Sequence, residues 1–165
     1  MEDLFFILDS NVFIEAAQRY YAFDIAPGFW ESLIVHSESG QVKSIDKVKG
    51  ELERGKDQLA AWAKGDFSHA FVSTDEEDVI KSYGEVMKWV QSQAQFTDAA
   101  KADFASGADG WLVAYVMTRG GVLVTHEIPS PDVKRKVPIP NVCVAFDINF
   151  RNTFEMLRFL KVRFS

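Results

Sequence analysis

Leu4-Phe5-Phe6-Ile7-Leu8-Asp9-Ser10-Asn11 is the stretch on which the fold turns. Five apolar residues run unbroken into an acid and two small polar residues. A strand with one wet face alternates apolar and polar side chains, whereas an unbroken apolar run suits a strand covered on both faces, as in a parallel sheet. Asp9, Ser10 and Asn11 are all residue types that open helices. The stretch therefore predicts a buried strand, a turn, and a helix over residues 12–20. Far along the chain Val122-Leu123-Val124-Thr125 repeats the pattern and reads as a second buried strand. Phe71-Val72 and residues 148–150 are shorter candidates.

The segments between these runs read as helices. Pro27 starts one over residues 28–39. Ser44 is expected to cap another, with Ile45, Val48 and Leu52 on its inner stripe, and residues 57–63 continue helical after a break at Gly55. Thr74 reads as a cap, with Asp75, Glu76 and Glu77 in the first turn of a helix running to Val90. Residues 108–117 form an apolar helix stopped by Gly120-Gly121. Pro129, Pro131 and Pro138 make residues 128–139 a loop. A short helix over 141–146 and a last one, capped by Asn152-Thr153 and running to Leu160, complete the chain. Helices alternating with short apolar strands predict an α/β fold, one domain over residues 1–165, with a central, mostly parallel sheet flanked by helices on both faces. In such sheets ligands bind beyond the C-terminal ends of the strands. That rule singles out Asp9 and the residues from Thr125 onward.

Composition narrows the function classes. The chain has 165 residues, of which 47% are hydrophobic, enough for a core without disulfides. Its one cysteine, Cys143, lies between Val142 and Val144 and reads as a buried small hydrophobe, consistent with a reducing, cytoplasmic setting. The acidic start before a short apolar run has the wrong polarity for a secretory signal, and no run approaches the ~20 residues that span a membrane. A net charge of −6 argues against a general nucleic-acid coat protein. A nuclease remains compatible, because metal ions offset clustered carboxylates. Local basic stretches for a nucleic acid are Lys43, Lys47 and Lys49, then Arg54 and Lys56, then Lys134, Arg135 and Lys136. Each is also readable as a solvated face.

Four acids stand at positions where chemistry is expected. Asp9 and Glu127 follow the two strongest strands, Asp109 opens an apolar helix, and Glu51 lies on the helix after Ser44. Carboxylates converging from separate elements suit one or two hard divalent cations such as Mg²⁺, which take oxygen ligands and keep several waters. Each acid also has a plain structural reading: Asp9 as a cap, Asp109 as a helix-start acid favoured by the dipole, Glu51 as a surface charge and Glu127 as a loop acid. Ser10 and Asn11 would support Asp9 or cap the helix. Thr125 would orient the acids or simply be a strand residue. Asp103 is a spare acid one short segment before Asp109. His126 should point away from Glu127 if strand alternation persists. His36 and His69 have no companion at metal-ligand spacing.

The motifs are more specific together than singly. Leu8-Asp9-Ser10-Asn11-Val12-Phe13-Ile14 resembles the opening motif of PIN domains. Glu51-Leu52 resembles their middle acidic motif. Ala108-Asp109-Gly110-Trp111-Leu112-Val113-Ala114-Tyr115 is similar to the third, and Val122-Leu123-Val124-Thr125-His126-Glu127 to the strand that ends in Thr, any residue, then an acid. The order also matches, although the last acid is Glu127 where Asp is more usual. The C-terminal part, Ile139-Pro140-Asn141-Val142-Cys143 and Asn152-Thr153-Phe154-Glu155-Met156-Leu157, resembles a less characterised branch. The resemblance implies a metal-dependent endoribonuclease that uses Mg²⁺ or Mn²⁺ held by Asp9, Glu51, Asp109 and Glu127, with Ser10, Asn11, Thr125 and Asp103 in support. It further implies a VapC-like toxin of a toxin–antitoxin pair, homodimeric, with RNA as substrate and a cognate antitoxin as protein partner. Phe29, Trp30, Phe154, Phe159 and Phe164 are candidate partner surfaces or, alternatively, core.

Other classes fit less well. A phosphatase of the haloacid-dehalogenase type needs a second Asp where Asn11 stands, and a receiver module needs an acidic pair near the first strand end. The serious alternative is a PIN-like module that binds RNA or protein without catalysis. All four acidic positions being acids is the feature that weighs against it.

Overall fold

The computed structural model describes residues 4–164, so the acidic start at residues 1–3 lies outside the described residues. The opening run forms β1 (Phe6–Leu8), and α1 (Ser10–Glu15) follows Asp9 directly. The predicted helix over 12–20 changes character midway: Ala16–Tyr20 is a π-helical turn. Then come α2 (Pro27–Glu38), β2 (Val42–Ile45), α3 (Asp46–Glu53) and α4 (Gln58–Lys64). They are followed by β3 (Phe71–Val72), α5 (Glu77–Ser92), α6 (Asp98–Ser106) and α7 (Asp109–Arg119). The chain ends with β4 (Val122–Val124), α8 (Ile139–Ala145), β5 (Phe150–Arg151) and α9 (Thr153–Phe159).

The strands form one five-stranded sheet in the order β3-β2-β1-β4-β5, and every pairing is parallel. All three residues of β1 and all three of β4 are buried. Successive side chains point to opposite faces, so both faces of these central strands are covered. From β1 the chain builds outward through β2 and β3 on one side, then returns through β4 and β5 on the other. The order thus reverses between β1 and β4, and the crevice at such a switch point is where open parallel sheets bind ligands. This architecture is the α/β fold expected from the sequence and is consistent with a PIN-like domain.

Two expectations need correction. Ser44 does not cap a helix; it lies inside β2, fully buried, and its hydroxyl donates to the Leu8 carbonyl at 2.6 Å. That bond is what lets a polar residue sit in a central strand. Thr74 does not cap α5, because its hydroxyl donates to Asp46 Oδ1 at 2.8 Å and the helix starts three residues later, at Glu77. Of the aromatics that read as core or partner surface, Phe29 and Trp30 are core, at 0% and 3% exposure, whereas Phe159 and Phe164 are half-exposed. The helix α6 had no sequence expectation of its own; Thr97 caps it by accepting the Ala100 N–H at 3.1 Å. The capping residues of α9 are as expected, with Asn152 and Glu155 forming a reciprocal capping box.

The turn from α7 into β4 depends on glycine. Gly121 has φ 97°, and a Cβ there would stand 2.6 Å from the Phe5 ring. Gly121→Ala is therefore expected to lower stability by about 1–3 kcal/mol, the range for a residue held in a sparsely populated backbone region. Denaturant midpoints of the two proteins check this, and equal midpoints would contradict it.

Candidate active site

The first acid is placed by the sheet itself. Asp9 follows β1, and its N–H donates to the Val124 carbonyl at 3.0 Å, which sets Asp9 beside Thr125 at the end of β4. Asp9 occupies the N-cap position of α1, yet its side chain makes no capping bond. The carboxylate turns to Thr125, whose Oγ1 donates to Asp9 Oδ2 at 3.1 Å and accepts the Glu127 N–H at 3.1 Å. Both residues are almost wholly buried, Asp9 at 2% exposure and Thr125 at 1%. A helix cap would normally sit in solvent, so burial here has another cause.

The other acids come from separate elements. Glu51 lies on α3, and its Oε1 accepts from Ser10 Oγ at 2.6 Å. A Cβ at Gly107 would stand 3.5 Å from Glu51 Oε2, so α3 meets the corner between α6 and α7 at this carboxylate. Asp109 is the first residue of α7, just beyond that corner, and its carboxylate has no hydrogen-bond partner among the described residues. Glu127 follows β4 and is held twice: Oε1 accepts the Ile139 N–H at 3.1 Å at the start of α8, and Oε2 lies 3.4 Å from Lys136 Nζ.

The four charges act on one another. Burial pushes Asp9 up to about 7, the Glu127 charge adds to the rise and Glu51 adds less, while Thr125 and the Ser10 backbone pull the other way. Burial pushes Asp109 up to about 8; Asp9, Glu127 and Glu51 raise it further, in that order, and Lys136 opposes them. A buried and a partly buried carboxylate that resist ionisation at neutral pH mark a place short of positive charge. No group of three or more His, Cys, Asp or Glu side chains among the described residues is arranged to hold a metal ion directly. The hydrogen bonds explain the spread: Ser10 holds Glu51, while Ile139 and Lys136 hold Glu127. The donor set nevertheless suits a hard divalent cation: it is all oxygen, includes Asp109 with no competing bond, and is electrostatically unsatisfied. Such cations bind through few direct carboxylates and several waters.

The remaining predicted residues separate clearly. Ser10 and Thr125 bond directly to acids of the set. Asn11 is exposed and lines a cleft with Glu15, Tyr20, His126 and Glu127. Asp103 is exposed on α6, and its charge bears on neither Asp9 nor Asp109. His126 Nε2 shares a hydrogen bond of 2.8 Å with Thr153 Oγ1, which ties the ring to the start of α9. Desolvation lowers its pKa against a weaker pull from Glu15, which favours the neutral ring. His36 and His69 bond to the Ser32 carbonyl and the Ser37 hydroxyl. Cys143 is fully buried, and burial, with help from the Glu127 charge, pushes its thiol up to about 12, which makes it inert. Glu15, the last residue of α1, and Tyr20 were not anticipated at the site; the π-helical turn that brings Tyr20 there has no sequence signature.

The chain matches the family described as "Domain of unknown function (DUF4411)" over residues 6–164, nearly its whole length, and it belongs to that family. No curated protein matches it.

Proposed function

We propose that this member of the family is a divalent-cation-dependent endoribonuclease acting at the acidic crevice between β1 and β4. The observation that carries the reading is the pairing of a buried Asp9 with a partly buried Asp109 at a topological switch point, raised chiefly by desolvation to about 7 and 8, with Glu51 and Glu127 bearing on both. Uncompensated acids are costly to bury and would repel a phosphodiester, so their retention makes sense if a cation joins them. Asp9, Glu51, Asp109 and Glu127 would hold Mg²⁺ or Mn²⁺. When bound, the cation supplies a water acidic enough to attack phosphorus and positive charge for the leaving oxygen.

The chain's own residues prepare that chemistry. Thr125 fixes the Asp9 carboxylate through Oγ1 and ties it to the Glu127 backbone. Ser10 holds Glu51 toward the crevice. Lys136 balances Glu127, its ammonium lying 3.4 Å from Oε2. Water is the nucleophile in this reading, and the Ser10 hydroxyl is committed to Glu51. No helix among the described residues is long and apolar enough to cross a membrane. The order of the motifs supports the finer reading: a cytoplasmic VapC-like toxin, homodimeric, restrained by a cognate antitoxin.

One observation favours a second reading, a module that binds RNA or protein without catalysis. The acids are not arranged to hold a metal directly, and Glu127 is already engaged by Ile139 and Lys136. Cleavage of a mixed RNA pool with Mn²⁺, Mg²⁺ or EDTA separates the two. Cutting only with the cations, leaving 5′-phosphate and 3′-hydroxyl ends, is the expected result. Products ending in 2′,3′-cyclic phosphate would exclude a water nucleophile, and no cutting by folded, antitoxin-free protein would favour the binding module.

A further inference from the structure

Beside the acids lies a cleft of ≈ 230 Å³ lined by Asn11, Glu15, Tyr20, His126 and Glu127. It is smaller than the roughly 300–1,000 Å³ of pockets that enclose whole drug-sized ligands, so it suits a single ring system laid at its mouth. Tyr20 supplies the aromatic surface. It is 51% exposed, although a tyrosine at the end of a helical segment could have packed inward. Phe154 meets its ring edge-on at 5.5 Å and 86°, and His126 lies tilted beside it at 5.9 Å and 35°. These neighbours brace the ring while half its surface stays open.

The backbone that presents Tyr20 is also unusual. Ala16–Tyr20 is a π-helical turn, closed by the Tyr21 N–H donating to the Ala16 carbonyl at 2.7 Å. Such turns are rare and gather at functional sites. Here the wider turn changes the direction in which Tyr20 leaves the helix, and the ring lands on the His126 side of the crevice. The rim has the wrong charge for phosphate, because Glu15 and Glu127 are acids. It suits a neutral ring with polar edges: the exposed Asn11 amide can donate and accept, and the Glu15 carboxylate can accept from an exocyclic amine.

We propose that Tyr20 is a stacking platform for one unpaired nucleobase of the RNA strand, next to the phosphate that lies at the acids. This rests on the ribonuclease reading above and specifies its substrate: single-stranded or looped RNA. Bases inside a duplex have both faces stacked and cannot lie on Tyr20, whereas an unpaired base can. Asn11 then reads the edge of that base.

The test uses an unstructured oligoribonucleotide and the same sequence closed in a duplex. Cleavage with Mn²⁺, and binding by fluorescence anisotropy with Ca²⁺ in its place, are both measured for the parent, Tyr20→Ala, Tyr20→Phe and Tyr20→Trp. Tyr20→Ala is expected to lose roughly 5- to 150-fold in kcat/KM on the unstructured strand, the range for one lost base–aromatic stack, and to bind it more weakly. Tyr20→Phe and Tyr20→Trp should stay near the parent, and the duplex should be a poor substrate throughout. Unchanged cleavage and binding by a folded Tyr20→Ala protein would overturn the platform and leave the nuclease standing. Binding weakened by Tyr20→Ala without cleavage by any of the proteins would uphold the platform and remove the nuclease. If the site is covered by a protein partner instead, the parent will bind neither oligonucleotide, and the inference fails.

Discussion

Asp109→Asn is expected to give a protein that is more stable than the parent without cation and unable to cut RNA. The two effects share one cause. Asp109 opens α7 in a crevice where burial and three neighbouring acids oppose its charge, and Lys136 alone relieves it. Asparagine keeps the shape and removes the charge. Stability should rise by about 0.5–2 kcal/mol, as is common when a strained functional residue is replaced. Cleavage should fall by more than the roughly 10–100-fold that follows loss of a mere supporting contact at a metal site. Thermal melts in EDTA and single-turnover cleavage with Mn²⁺ give the two readouts. An Asn variant that melts earlier than the parent would mean that Asp109 serves chiefly as the first-turn acid of α7, stabilised by the helix dipole. A variant that cuts at the parent rate would remove Asp109 from the site.

How far the fold was legible depended on whether local pattern and tertiary demand agreed. Residues 6–8 and 122–124 are apolar throughout, and the sheet buries them throughout, so periodicity alone identified both central strands. Residues 42–45 pair with β1 just as intimately, yet Lys43 and Ser44 hide the strand. The Ser44 hydroxyl can be buried only because the Leu8 carbonyl, 36 residues away, receives it. Thr74 misled for the same reason: it has the chemistry of a cap, but its hydroxyl is spent on Asp46 across 28 residues. Where a polar side chain's partner is distant in sequence, local capping rules point to the wrong element.

The candidate site shows the same division. Asp9 was legible because a strand end in a parallel sheet is a privileged place, and Asp109 because an acid there opens an otherwise apolar helix. That the acids bear on one another follows from sheet order, which places β1 beside β4, and the spacing of the residues does not encode it. Thr125 could be suspected, but its two hydrogen bonds, one to Asp9 and one from the Glu127 backbone, belong to the folded chain. The engagement of Glu127 by Ile139 and Lys136 was not legible, nor was the turn that delivers Tyr20. Asp103 shows the converse: it lies only six residues before Asp109, yet the helix α6 leaves it in solvent.

The second large effect is on stability as pH and cation vary together. Asp9 and Asp109 titrate near 7 and 8 in the folded protein, well above the roughly 3.9 of an unfolded aspartate. The folded chain therefore holds protons that the unfolded chain releases. Their stabilising contribution is complete below the unfolded value and is lost as pH rises through the folded values. Other groups mark the cleanest window. The lowered His126 works in the opposite sense, its contribution being lost as pH falls below its ordinary value near 6.5, and Asp78, held low by Arg119, matters only in acid. Cys143, raised to about 12, adds a loss only once an unfolded thiol begins to ionise, at about 8.5. Between about pH 6.5 and 8 the two aspartates dominate, and the cation-free protein should melt progressively earlier. Mn²⁺ or Mg²⁺ competes with those protons, so its stabilisation should grow over the same interval. At a hundred times its dissociation constant the cation should contribute about 2.7 kcal/mol, roughly 5–11 °C for a chain of this size. Asp109→Asn should flatten the cation-free slope and shrink the cation's effect. A melting temperature that rises with pH across this window, or that ignores both cations at pH 8, would mean that these carboxylates are not the cation site on which the nuclease reading depends.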